Sequence, residues 1–245
     1  MKIIGMLFLI FFLNNCFAQE IVNVVMVNKK GITEKAKEAE AFIIIKKFND
    51  HFQRLDYKMH APLVVEKNFN DSNLTVLDGR YNLYHTNGML SLEGEYVNSF
   101  KENTWNNYND TGKLILQIKY LHNLVIETIN PDTLKKEDSK RDILNPDEIE
   151  ATYGQGKSDW KKYLEQNLNP DVALNSLKGG DVSIKFVIDT QGRCTNIMVK
   201  KSVEFVLDEE VKRLIYISPL WNSASQKGRK VKAYRIQPIT FIKQE

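Results

Sequence analysis

Cysteine, histidine and proline are all scarce in this chain. There are two cysteines, Cys16 and Cys194. Removal of an N-terminal leader would leave only Cys194, and one thiol makes no internal disulfide, so stability must come from packed cores. The four histidines, 51, 60, 85 and 122, lie far apart and none stands at metal-ligand spacing. The six prolines are scattered, which excludes a proline-rich spacer. Gly154-Gln-Gly156 lacks the continuation of a phosphate-cradling loop. Crossing a bilayer as a helix takes about 20 apolar residues. The run from Ile3 to Leu13 is shorter, and no later stretch is apolar enough. A net charge of +3, with basic and acidic residues interleaved, demands no nucleic-acid partner. No cofactor is expected.

What is present points to export and to two modules. The 245 residues, 42% of them apolar, are enough for two cores. Lys2, the apolar run and the small residue Ala18 before Gln19 have the layout of a signal peptide, residues 1–18. Periplasmic or outer-membrane-associated location follows as the expectation, with an uncleaved anchor as the alternative. Asn15 before Cys16 argues against lipidation there.

Residues 19–41 read as a lead-in that starts β-like at Val22 and then becomes charged, with Thr33 as N-cap of a short helix. From Ala41 the signals are strands: Phe42–Phe48, Phe52–Met59, Leu63–Phe69 and Leu74–Tyr81, parted by turn residues such as Asn70-Asp71-Ser72-Asn73. Then a repeat appears. Tyr81, Tyr84, Gly88, Leu90, Leu92 and Tyr96 recur 24 positions later as Trp105, Tyr108, Gly112, Leu114, Leu116 and Tyr120. Asn87-Gly88 and Thr111-Gly112 are hairpin turns, so each copy is a β-hairpin extending one antiparallel sheet over 42–129. Tyr57 stands a further 24 positions before Tyr81. Gly79-Arg-Tyr81, Glu93-Gly-Glu-Tyr96 and Trp105-Asn-Asn-Tyr108-Asn-Asp-Thr-Gly112-Lys resemble MORN-type repeats of the YwqK antitoxin-like sort. That resemblance implies an extended sheet used for packing or protein contact.

Residues 130–157 hold Pro131, Pro146, Gly154, Gly156 and a mixed-charge run at 135–142, and read as a linker. Beyond it, Trp160, Tyr163, Leu164 and Leu168 have helical spacing, with Ser158 or Asp159 as N-cap and Pro170 as terminator. Val182, Ile184, Phe186 and Ile188 alternate as a strand, Asp189–Gly192 turns the chain, and Cys194–Lys201 returns. Leu207, Val211, Leu214 and Ile215 stripe a second helix, with Asp208-Glu209-Glu210 at its N-terminal end as dipole partners. Val231–Phe241 is the last strand. The fold class is therefore α+β: a repeat sheet, then a small two-layer domain, 158–245, ordered helix–strand–strand–helix–strand.

The second module resembles the TonB C-terminal domain in the form common in Bacteroidetes. The matching residues are Asp159-Trp-Lys-Lys-Tyr163-Leu, Gly180-Asp-Val-Ser-Ile-Lys-Phe-Val-Ile-Asp189, Gly192, Ile197-Met-Val199, Leu207-Asp-Glu-Glu210, Pro219-Leu-Trp221, Gly228-Arg-Lys-Val231 and Pro238-Ile-Thr-Phe241. Asn169 departs from the aromatic usual before the proline. The resemblance implies a protein partner, such as an outer-membrane TonB-dependent transporter, bound by pairing a peptide with the last strand. Pro238 suits an edge strand, so Val231, Lys232, Ala233, Tyr234, Arg235, Ile236 and Gln237 are the candidate partner-binding residues. Lys227, Arg229 and Lys230 form a basic rim that either steers an acidic segment or guards the edge from aggregation. One rival is a structural protein that self-associates as a homodimer. Another is an energy-transducing homologue, if the N-terminus stays as an anchor. Enzymatic activity is not expected, because Cys194 has no evident base and free cysteines are usually buried.

Overall fold

The computed structural model describes residues 20–134 and 148–242. The expected signal peptide and the mixed-charge run at 135–142 lie outside the described residues. The chain divides into two compact units, Met1–Thr133 and Leu134–Glu245.

Unit one is a ten-stranded antiparallel sheet. Its strands are β1 (Glu20–Asn28), β2 (Gly31–Ile32), β3 (Ala41–Lys47), β4 (Phe52–Lys58) and β5 (Leu63–Phe69). They continue as β6 (Leu77–Tyr84), β7 (Leu90–Val97), β8 (Phe100–Tyr108), β9 (Leu114–Leu121) and β10 (Leu124–Ile129). The spatial order is β10-β9-β8-β7-β6-β5-β4-β3-β1-β2, so from β3 onward every strand pairs with its sequence neighbour. A single helical turn, Pro131–Leu134, follows.

The lead-in starts β-like as expected but departs from expectation after Thr33. Glu20–Asn28 is a full strand, paired from Glu20↔Lys47 to Val27↔Ala41. The charged stretch after Thr33 is not helical: Thr33 N and Glu40 N donate to Met26 O and Val27 O of β1, and Thr33 Oγ1 accepts from Lys35 N. Ladder bonds to β1 outweigh the modest local helix preference of Lys, Glu and Ala.

The repeat is legible in the hydrogen bonds. Ser99 N donates to Leu77 O at 2.7 Å and Asn123 N to Lys101 O at 3.0 Å. Leu77 N donates back to Ser99 Oγ, and Lys101 N to Asn123 Oδ1. Asn98 N reaches Asp78 Oδ1, and His122 N reaches Glu102 Oε1. Each pair of bonds is offset by 24 positions. Asn98-Ser99 and His122-Asn123 all have positive φ, between 48° and 68°, which fits the right-handed twist of two-residue hairpins. Tyr81, Tyr96 and Tyr120 surround Trp105, at centroid distances of 5.8, 5.0 and 6.0 Å. Trp105 is fully buried. Glycine is required at position 94, where a Cβ would lie 2.2 Å from Trp105 Cδ2. Tyr84, three residues beyond Tyr81 on β6, points to the opposite side of the strand and is buried with its cross-strand partner Leu90. The repeat aromatics thus serve both faces rather than one.

Unit two contains α1 (Lys157–Asn167), α2 (Pro170–Asn175), β12 (Gly180–Ile188), β13 (Cys194–Lys201) and α3 (Phe205–Tyr216), ending in β16 (Ala233–Phe241). Its main sheet has the order β13-β12-β16. A second small sheet joins β11 (Glu148–Ile149), β14 (Ala224–Gln226) and β15 (Arg229–Val231). The expected alternation holds: Val182, Ile184, Phe186 and Ile188 are buried, as is the α3 stripe Leu207, Val211, Leu214 and Ile215.

Four local details differ from the sequence reading. Helix α1 is capped by Gly156, not by Ser158 or Asp159; the Asp159 carboxylate instead accepts from Gln155 N. Pro170 does not simply end a helix. It opens α2, with Asn169 Oδ1 accepting from Asp171 N, which explains an asparagine where an aromatic is usual. Residues 148–156, expected to be linker, belong to unit two. They contribute β11, the Thr152↔Asn222 bridge and Tyr153, whose ring packs on Trp160, Tyr163 and Trp221. Asp208, Glu209 and Glu210 are buried rather than surface dipole partners. Asp208 accepts from Ser202 Oγ and Val203 N, Glu209 pairs with Lys212, and Glu210 holds Arg213 and Asn169 N. The bonds to Ser202, Val203 and Asn169 tie α3 to the segments before it, while those to Lys212 and Arg213 lie within the helix.

Candidate partner-binding edge

Strand β16 is terminal in its sheet, and every one of its nine residues is in register with β12, from Gly180↔Phe241 to Ile188↔Ala233. Among the described residues no strand pairs along its outer side, so one row of backbone donors and acceptors faces away from the ladder. Pro238, opposite Ser183, costs little at such a position.

The side chains of β16 alternate sharply. Ile239 and Phe241 are buried, while Tyr234 is 77% and Ile236 55% exposed. Lys185 Nζ sits 5.6 Å from the centre of the Tyr234 ring, a cation–π approach from the neighbouring strand. The far end is tied by Thr240 Oγ1, which donates to Asp181 Oδ1 at 2.7 Å.

Of the predicted residues, Ala233, Tyr234, Arg235, Ile236 and Gln237 lie on β16. Val231 does not: it ends β15, and Lys232 separates the two strands, so the expected continuous strand Val231–Phe241 is broken at Lys232. Lys227 and Gly228 form the β14–β15 turn, with φ of 51° and 73°. Lys227, Arg229, Lys230 and Lys232 are exposed there as a basic cluster. Arg235 leaves that cluster and turns inward. Its Nη1 donates to Ala151 O at 3.1 Å and lies 3.6 Å from Glu150 Oε2.

Sequence reasoning missed Glu148, Glu150 and Ala151 beside the edge, because β11 is two residues long and carries no periodicity. With β14, β15 and the first residues of β16 they line a cavity of about 390 Å³.

Cys194 lies on β13, half-buried, with Sγ 3.7 Å from Ser218 Oγ. Burial pushes its thiol up to about 11 against a weaker opposing effect of the Ser218 hydrogen bond. No group of three or more His, Cys, Asp and Glu among the described residues could hold a metal ion. No helix among them is long and apolar enough to cross a membrane.

Residues 167–242 match the family model described as Gram-negative bacterial TonB protein C-terminal. The match takes in α2, the three-stranded sheet, α3 and the whole of β16. No curated protein and no solved structure matches the chain. This part of the C-terminal unit is therefore similar to the C-terminal part of a Gram-negative bacterial TonB protein.

Proposed function

We propose that this is an exported, non-enzymatic envelope protein whose C-terminal unit binds an extended peptide by adding it to β16. The observation carrying this reading is the free outer side of β16 within a unit that matches the TonB C-terminal family. Backbone pairing supplies affinity in such complexes and alternate side chains supply choice. The partner class is a segment of an outer-membrane transporter or a similar surface protein. The exposed lysines and Arg229 at the start of the edge favour approach of an acidic segment, an effect that salt screens. The unit-one sheet, read as MORN-type repeats, serves as a contact platform.

The test is a titration of the isotope-labelled full-length protein with synthetic peptides from the periplasm-facing segments of transporters of the same organism. Amide shifts concentrated on Ala233–Phe241, with slowed hydrogen exchange there, are expected. A folded protein showing no shift at millimolar peptide would overturn the reading.

A second reading, self-association, is favoured by another sheet edge, one that no described strand covers. Strand β10 ends the large sheet, and Leu124, Val125 and Ile126 on it are 68%, 58% and 52% exposed. An exposed apolar edge strand is a template for a further strand. Sedimentation over a wide concentration range distinguishes it: a mass that rises with concentration supports a homodimer, and a constant monomer mass removes it.

A further inference from the structure

Four short segments of unit two meet at the N-terminal end of β16 and line the open cavity of about 390 Å³ noted above. That size is within the range of natural ligand pockets. Its volume comes from small side chains: Ala151, Ala224 and Ala233 stand in its wall where larger apolar residues would fill it. Ala151 and Ala224 are buried and close its floor. Val231 adds to the floor. Ile149 and Tyr234, 66% and 77% exposed, stand at the mouth.

Two polar pairings stand in the wall. Gln226 Nε2 donates to Glu148 Oε1 at 2.7 Å. Arg235 is shared between Ala151 O and Glu150. An aromatic occupant would pack against the exposed Ile149 and Tyr234 side chains at the mouth. The cavity also shares Ala233, Tyr234 and Arg235 with the free edge, so a strand lying on β16 passes its mouth.

We infer that this cavity is an anchor pocket for one aromatic side chain flanking the strand-forming segment of the partner. The inference rests on strand addition at β16 and adds the residue class that selects the partner. An antiparallel strand brings its C-terminal end to Ala233, and a parallel one its N-terminal end.

The experiment uses the full-length protein and three synthetic peptides with a common alternating Thr/Val centre. They carry Trp, Ala or Lys next to both ends. A second protein, Ala233→Phe, fills the cavity from its own wall; its β16 amide pattern reports whether the sheet is intact. The expected result is about tenfold tighter binding of the Trp peptide than of the Ala peptide, a gap typical of a buried aromatic anchor. That advantage disappears in Ala233→Phe while the Ala peptide binds both proteins alike. Equal binding of Trp and Ala peptides, with shifts along β16, overturns the pocket and leaves strand addition standing. Preference for the Lys peptide overturns the aromatic assignment. Absence of β16 shifts with all three peptides overturns strand addition and the pocket with it. If Ala233→Phe disturbs the sheet, Ala224→Leu fills the same cavity from the opposite wall and takes its place.

Discussion

At the scale of single residues, the unit-two loops hold the sharpest constraints. Gly192 has φ +85°, and a Cβ there would lie 2.1 Å from Trp221 O, a backbone atom that cannot swing aside. Trp221 N also donates to Gly192 O at 2.9 Å. Gly192→Ala should therefore cost about 3 kcal/mol or more, combining left-handed strain with a clash, as read from urea midpoints. Asp189 in the same turn accepts from Arg193 N, Gln191 N and Arg193 Nε. The backbone bond from Arg193 leads in holding its carboxyl below the ordinary 3.8. A folded value below the unfolded one stabilises the protein above the unfolded value, and that stability is lost as pH falls through the folded value. Asp189→Asn should be less stable than the parent at pH 7, with the gap closing in acid once both are uncharged. A gap independent of pH would show that the carboxylate charge is not what matters. Cys194, with its thiol pushed up to about 11, should alkylate far more slowly at pH 8 than a free thiol. Rapid labelling by iodoacetamide in native buffer would reopen a nucleophilic role.

At the scale of elements, the repeat makes equivalent positions comparable. Asn123 takes φ 67° and its side chain accepts from Lys101 N at 2.6 Å. Replacing it by Ala removes the bond and strains the turn, at an expected cost of about 1–2 kcal/mol by chemical denaturation. Ser99→Ala, one copy earlier, should cost a similar amount if the copies are energetically equivalent. The hairpins were readable from sequence because glycines 88 and 112 sit between alternating residues, and alternation at period two survives in local sequence. The lead-in was readable only in its β-like start, where Ile21, Val22, Val24, Val25, Met26 and Val27 crowd β1. The Lys/Glu/Ala run after Thr33 misled, because the backbone bonds of Thr33 and Glu40 go to β1, outside any local window. The edge strand was largely legible, since Pro238 and the alternation mark it. Its cavity was not, because Ala151, Ala224 and Ala233 come from separate segments and alanine alone carries no signal. The buried state of Asp208, Glu209 and Glu210 was hidden because it depends on segments outside α3, such as those holding Asn169 and Ser202; Lys212 and Arg213 lie one turn along the same helix.

At the scale of the whole molecule, each unit carries its own aromatic centre. Trp105 with three tyrosines organises the large sheet, and Trp160, Trp221, Tyr153 and Tyr163 organise the other unit. Trp105→Ala should cost unit one about 3–5 kcal/mol, the range for deleting a buried aromatic. In calorimetry it should lower the melting of the sheet more than that of unit two, with Trp221→Ala giving the opposite ranking. Equal shifts in both would show that the units melt together.

The 24-residue phase of the hydrogen bonds carries a consequence for how such a chain can change length. Because Leu77 and Lys101, and Ser99 and Asn123, hold interchangeable places, a segment one period long can be cut out or duplicated in frame with no new type of junction. Each copy adds two strands, and so about 10 Å of width. Reach across the sheet thus becomes a quantity that gene duplication can dial in discrete steps, leaving the chemistry at β16 untouched.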